Sequence, residues 1–230
     1  ITCVTVLRCW VHHFTGAGSI GIHLYYTDKS NVALNRVNDN YVGIHLARSD
    51  FNKVQSNTAE DNPHPNAGII VGVAYHNIIS GNHCRGNGMG IRIWNGNEQV
   101  VNGNICYDNA TDGIEIAGTS SNNEICCNQF DDNGYGIHIA DVTCNNNRLM
   151  YNRLQGNTVR AIVDAGTGTI IDGNWENVGH YQTTAGNWAA YAGPTGSPAN
   201  GTRVIVYSSG EPGHRLYCYS NGAWHYVNLT

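Results

Sequence analysis

The sequence predicts an all-β solenoid: a parallel β-helix of about seven coils, three short strands to a coil, followed by a small antiparallel meander. Three observations carry that prediction. A Gly-Ile-x-Ile-like tetrapeptide returns at Gly21, Gly43, Gly68, Gly90, Gly113 and Gly136, and in degraded form at Ala161, in steps of 22, 25, 22, 23, 23 and 25 residues. Asparagines keep the same period, in one series at Asn35, Asn57, Asn82, Asn104, Asn128, Asn152 and Asn174, and in a second at Asn40, Asn62, Asn87, Asn109, Asn133 and Asn157. Apolar residues flank the first series three positions before (Val32, Val54, Ile79, Val101, Ile125, Leu149, Ile171) and two after (Val37, Ala59, Cys84, Cys106, Phe130, Leu154).

Each element follows from these columns. Aliphatic residues alternating with polar ones over short runs read as half-buried strands, here of three to five residues. Equivalent strands of successive coils stack about 4.8 Å apart, with the Ile and the last residue of each tetrapeptide inward. Asparagine suits the corners, since it tolerates left-handed backbone and its amide can bond across coils. The glycine before each Ile relieves crowding where the chain enters the first strand. The chain opens at Ile1 inside a coil, with Val6, Cys9 and Val11 in the columns and Cys9 in an asparagine position. The expectation is a mature product or a fragment whose first strands are covered by preceding residues or another subunit. The period stops at Gly179. Residues 180–201 are a Gly/Pro-rich connector carrying Trp188 and Tyr191, and RVIVY, HRLYCYS and AWHYVNL read as three strands with a hairpin turn at Asn221-Gly222. The aromatic side chains of Tyr217, Tyr219, Trp224 and Tyr226 make this meander a cap or an assembly contact, so the expected partners are neighbouring subunits and a polysaccharide.

These repeats resemble the pectate-lyase-like superfamily of right-handed parallel β-helices, in the short-coil, asparagine-rich variety typified by NosD-like periplasmic proteins. The resemblance spans roughly residues 1–179 and speaks to fold, since that superfamily hosts lyases, epimerases, hydrolases and tailspikes alike. It implies an extracellular or periplasmic chain. Eight cysteines agree with an oxidising compartment. Cys84 and Cys106 read as buried thiols, while Cys127–Cys144 and Cys3–Cys9 are candidate bridges. A net charge of −5 excludes a nucleic-acid surface, and the longest apolar run, residues 67–74, is too short to span a membrane.

The middle residue of each tetrapeptide faces outward and forms the column His23, His45, Ile70, Arg92, Glu115, His138, Val163. Arg92, Glu115 and His138 then stand on consecutive coils. An arginine that holds a uronate carboxylate beside a Glu or His that moves a proton is a lyase or epimerase set. Trp94, Asp141, His45 and His23 extend the same face as a glycan surface. The competing reading is a charge ladder that steadies the sheet and does nothing else. The spaced aspartates of polygalacturonases and the Asp-Pro-His of alginate epimerases are absent. The His23/His45 and His12/His13 pairs lack the carboxylate or thiolate that completes a metal site, and no CxxC occurs, so no metal or other cofactor is expected. The few coils, the incomplete catalytic signature and the open first coil beside an aromatic terminal meander favour a rigid structural or adhesive solenoid, a spike, surface-fibre or filament component able to grip glycans; the alternative is a lyase, epimerase or glycosidase acting on an acidic glycan at this face.

Overall fold

The computed structural model describes residues 2–63 and 65–175 and, of the remainder, the backbone of strands Arg203–Tyr207, His214–Ser220 and Ala223–Leu229. The described residues contain no helix. They build a parallel β-solenoid of about seven turns whose faces are three parallel sheets of seven, eight and six strands. Strands Arg203–Tyr207, His214–Ser220 and Ala223–Leu229 pair antiparallel in that order. The side chains of the expected assembly residues Tyr217, Tyr219, Trp224 and Tyr226, and the whole connector 180–201, lie outside the described residues.

The seven-stranded sheet is made of the tetrapeptide strands, and these are longer than the pattern suggests. Ile20–Tyr25, Val42–Ala47, Ala67–Gly72, Met89–Trp94 and Asp112–Ala117 each run six residues. We call it the long sheet. The extra length comes from residues on either side of the tetrapeptide, which pair in register although they are polar or bulky in some coils, as at Met89↔Asp112 and Asp112↔Tyr135.

The core is the set of inward columns. Ile44, Ile69, Ile91, Ile114 and Ile137 are fully buried, as are Leu46, Val71, Ile93, Ile116 and Ile139 beside them. Val54, Ile79, Val101, Ile125 and Leu149 line the second sheet, and Val37, Ala59, Cys84, Cys106 and Phe130 the third. Like meets like along the axis, so each aliphatic side chain packs on a copy of itself and buries nearly all its surface. The glycine before each Ile points inward too. A Cβ on Gly113 would stand 2.9 Å from Phe130 Cβ and 2.7 Å from the Gly136 carbonyl oxygen, so no side chain fits there.

Each corner carries its own ladder. Along the first, the carboxamide oxygen of each asparagine accepts from the backbone N–H and the amide of its predecessor, from Asn35 through to Asn174; Asn104 N and Nδ2 donate to Asn128 Oδ1 at 2.9 and 3.0 Å. Asn40 to Asn157 form the second. A third ladder, absent from the sequence reading, runs Ser30, Asn52, Asn77, Gln99, Asn123, Asn147 at the corner after the long sheet. Its chemistry varies between hydroxyl and two lengths of carboxamide, which hides it from a search for one repeated letter.

The ladder asparagines are not themselves left-handed. The residue before each one takes that conformation: Leu34, Ser56, Cys127 and Tyr151 in the first ladder, and Asp39, Asp61, Asp108 and Asp132 in the second, with φ between 53° and 56°. The asparagine is selected for its reach across coils, and its neighbour makes the turn. The seven described cysteines are all free, which corrects the expected bridges. Cys127 is exposed at the first-ladder corner, whereas Cys144 is buried at the corner after the long sheet, its thiol 3.5 Å from the Gly118 carbonyl. Cys84 and Cys106 pair in register inside the core as small apolar groups.

Candidate functional site

The long sheet places the outward column as its spacing implies. His23 pairs with His45, His45 with Ile70, Ile70 with Arg92, Arg92 with Glu115, Glu115 with His138 and His138 with Val163. Arg92 Nε stands 2.5 Å from Glu115 Oε2. Both atoms are buried, and the contact is a close charge pair. The Arg92 side chain remains 35 % exposed and Glu115 only 12 %.

A fourth member joins them. Asp112 Oδ1 lies 3.0 Å from His138 Nδ1, and the Asp112 side chain is 4 % exposed. Strict alternation from Ile114 would turn Asp112 inward. Gly113 and Ile114 both face the core, however, so the phase slips by one residue and Asp112 shares the outer face with Glu115. The column before the glycines reads Ile20, Val42, Ala67, Met89, Asp112, Tyr135 and Arg160. Its lone carboxylate is the signal that marks this residue. Tyr135 closes one side, its ring 4.9 Å from that of His138.

The electrostatics follow from this packing. Burial pushes the Glu115 carboxyl above the ordinary range, and the Asp112 charge adds to that, while Arg92 and His138 oppose it. The hydrogen bond to Asp112 raises His138, against a smaller effect of burial. A carboxylate and an imidazole on neighbouring strands thus pair a group that can accept a proton with one that can donate it.

The other expected residues are placed differently. His23 and His45 stack with ring centroids 5.1 Å apart and planes within 9°. Burial, reinforced by His23, lowers the His45 pKa to about 4, so its ring is neutral. Trp94 is 47 % exposed on the same face. Asp141 lies past the strand end and accepts from the Gly118 backbone N–H at 2.6 Å, so its carboxylate helps fix the corner.

The comparisons with known proteins complete the site. The family profile described as "Periplasmic copper-binding protein (NosD)" matches residues 13–193. The chain belongs to the NosD family. Among solved structures, the fold matches DFA-IIIase from Arthrobacter chlorophenolicus A6 without its lid, with a TM-score of 0.59 and 16 % identity, covering 69 % of this chain and 46 % of that one. It also matches the periplasmic alginate epimerase AlgG with a TM-score of 0.55 and 17 % identity, over 76 % of this chain and 44 % of that one. This NosD-family chain thus spans less than half of either structure, and identities this low establish the fold alone. No curated protein sequence matches it. A periplasmic or extracellular location is supported by the family.

The family's description raises the question of copper. Ligand atoms of Asp112, Glu115 and His138 lie within 4.8 Å of one another, the one such group among the described residues. Copper(I) favours thiolates and thioethers, and copper(II) tetragonal sets of nitrogen and oxygen. This group offers two hard carboxylates and a single imidazole already bonded to Asp112, with the Arg92 guanidinium against Glu115. The core thiols are no better suited: burial, then Cys84, pushes the Cys106 thiol well above its ordinary pKa, which keeps it protonated. Neither this cluster nor the core thiols fit copper.

Proposed function

We propose that this NosD-family solenoid acts on an acidic polysaccharide, abstracting the proton α to a uronate carboxylate at the Arg92–Asp112–Glu115–His138 cluster. The observation that supports this most is the convergence of a guanidinium, a carboxylate of raised pKa and an Asp-held imidazole on three adjacent coils. Arg92 binds the uronate carboxylate and offsets the charge that builds on it as the C–H bond breaks. Glu115 takes the proton. His138, oriented by Asp112, returns one either to the departing glycosidic oxygen, as in a lyase, or to the opposite face of the same carbon, as in an epimerase. A purely structural or adhesive role draws its support from the small number of coils and from C-terminal aromatics, whereas the cluster supplies paired acid and base that such a role does not require.

The test is turnover of pectin, alginate and hyaluronan by the wild type and by Glu115→Gln. The expected result is activity on at least one polymer that falls by about 10²-fold or more in the variant, at an unchanged melting temperature. Inactivity of the wild type on all three, or full activity of the variant, would sink the reading.

A further inference from the structure

The outer face of the second sheet carries sulfur at one spot. The outward column at the end of its strands reads Ala33, Gln55, Ser80, Asn102, Cys126, Met150 and Asp172, in register from coil to coil. Cys126 and Met150 are half-buried neighbours on strands Glu124–Cys126 and Arg148–Met150. A third sulfur follows at once, because Cys127 is exposed on the left-handed turn with φ 56°. Cys126-Cys127 is the one adjacent cysteine pair in the chain and Met150 one of its two methionines, so the scarcest sulfur features of the sequence meet here. Strands so paired stand about 4.8 Å apart, close to twice a metal–sulfur bond of about 2.3 Å. The spot is open. On the coil before, the turn position of Cys127 is Gly103, where an added Cβ would meet nothing nearer than Gly81 N at 3.9 Å. On the coil after, it is Tyr151, whose ring leans over Gly173 on the far side. Nothing in the turn calls for a thiol, since Gly81, Gly103 and Gly173 make it on other coils.

We propose that Cys126, Cys127 and Met150 bind a soft monovalent metal ion, of the copper(I) and silver(I) class, through their three sulfur atoms. Thiolate and thioether donors select soft ions. Zinc takes four ligands, drawn from Cys, His, Asp and Glu. Among the described residues no third ligand of that kind gathers with the two thiols within 4.8 Å. Burial, then Cys127 and Glu124, pushes the Cys126 thiol up to about 11, so both side chains reach it and the ion has to displace a proton there. Binding releases one proton from each thiol, to Glu124 or to water, and changes no oxidation state. Two thiolates and one monovalent ion leave a single negative charge. The Arg148 guanidinium, 3.8 Å from Met150 Sδ, stands beside it. Cys127 is exposed, so the ion exchanges with ligands from solvent, which the buried Cys84 and Cys106 would not allow. The donors lie on two coils without CxxC spacing, so the sequence alone does not announce them. The site shares no residue or sheet with the Arg92–Asp112–Glu115–His138 cluster and does not rest on the chemistry proposed for it.

Anaerobic titration of the reduced full chain with copper(I), in competition with a chromophoric copper(I) chelator, tests this. A Cys3→Ser, Cys9→Ser and Cys218→Ser background leaves only this pair and the buried thiols. One equivalent is expected to bind, with sulfur neighbours alone in X-ray absorption at the metal edge, and silver(I) is expected to compete for it. Cys126→Ser with Cys127→Ser should abolish that equivalent, and the near-isosteric Met150→Leu should weaken it at least tenfold. Circular dichroism and the melting temperature show that the variants are folded; Cys127→Ser alone, at an exposed position, serves should the double variant misfold. Glu115→Gln should bind the ion like the parent, whatever becomes of turnover. The proposal is overturned if no equivalent binds, if the double variant binds as tightly, if Met150→Leu keeps full affinity, or if an equal concentration of zinc displaces the ion. Loss of the ion in Glu115→Gln would place it on the long sheet and also overturn the site.

Discussion

At the scale of single residues, the Asp112–His138 contact governs the behaviour of the site. In the proposed reaction Asp112 acts through His138, which it positions and polarises. For the proposed reaction the competent form has Glu115 ionised and His138 protonated, so it is lost as pH falls through the Glu115 pKa and as pH rises through that of His138. Both are raised from their ordinary values. The profile of kcat/KM against pH should therefore be a bell whose acid limb lies above the usual glutamate range and whose alkaline limb lies above the usual histidine range. Asp112→Asn removes the main cause of the elevation at His138. Its alkaline limb should move down in pH while the acid limb stays up through burial; an unmoved alkaline limb would show that Asp112 has no hold on the imidazole. Arg92, Glu115 and His138 were legible in the sequence because their column has a strict period. Asp112 was not, because two inward residues in succession, Gly113 and Ile114, shift the alternation on which that reading depends.

At the scale of elements, the ladders decide stability. Asn128 accepts from Asn104 N and Nδ2 and donates to Val101 O at 2.9 Å and to Asn152 Oδ1 at 3.0 Å. Asn128→Leu would leave the buried Asn104 backbone N–H without its acceptor and remove the bond to the Val101 carbonyl, each loss costing about 1–3 kcal/mol, while the Asn104 and Asn152 amides keep other partners. A marked fall in melting temperature is expected, and an unchanged one would show that the ladder carries little of the fold. The corner after the long sheet makes the complementary point. Ser30, Gln99 and the asparagines between them do one job with different side chains, so only the hydrogen bonds reveal it as a ladder.

At the scale of the whole solenoid, each coil touches only its neighbours, so damage should stay local. Phe130 is the largest fully buried side chain and fills the space in front of Gly113. Phe130→Ala should cost roughly 3–5 kcal/mol. Hydrogen exchange should quicken most in the coils of Asp112–Ala117 and Tyr135–Ile139 and least in those of Ile20–Tyr25 and Val42–Ala47. A uniform loss of protection across all coils would mean that the solenoid unfolds as one unit. Those same two coils carry Glu115 and His138, so the variant should also lose activity at temperatures where its far coils remain folded.

By itself the sequence determined the solenoid, its seven turns, the inward columns and the outward row from His23 to Val163. Stacking forces equivalent positions to meet their own copies, and that demand writes a period into the chain. The tertiary structure decided what the period does not encode: which residue at each corner is left-handed, that Cys127 and Cys144 occupy different corners, and that Asp112 turns outward to His138. Each of these depends on the phase of one strand against the next coil, a distance in space that residues about 22 to 25 positions apart in the sequence acquire only when the coils close.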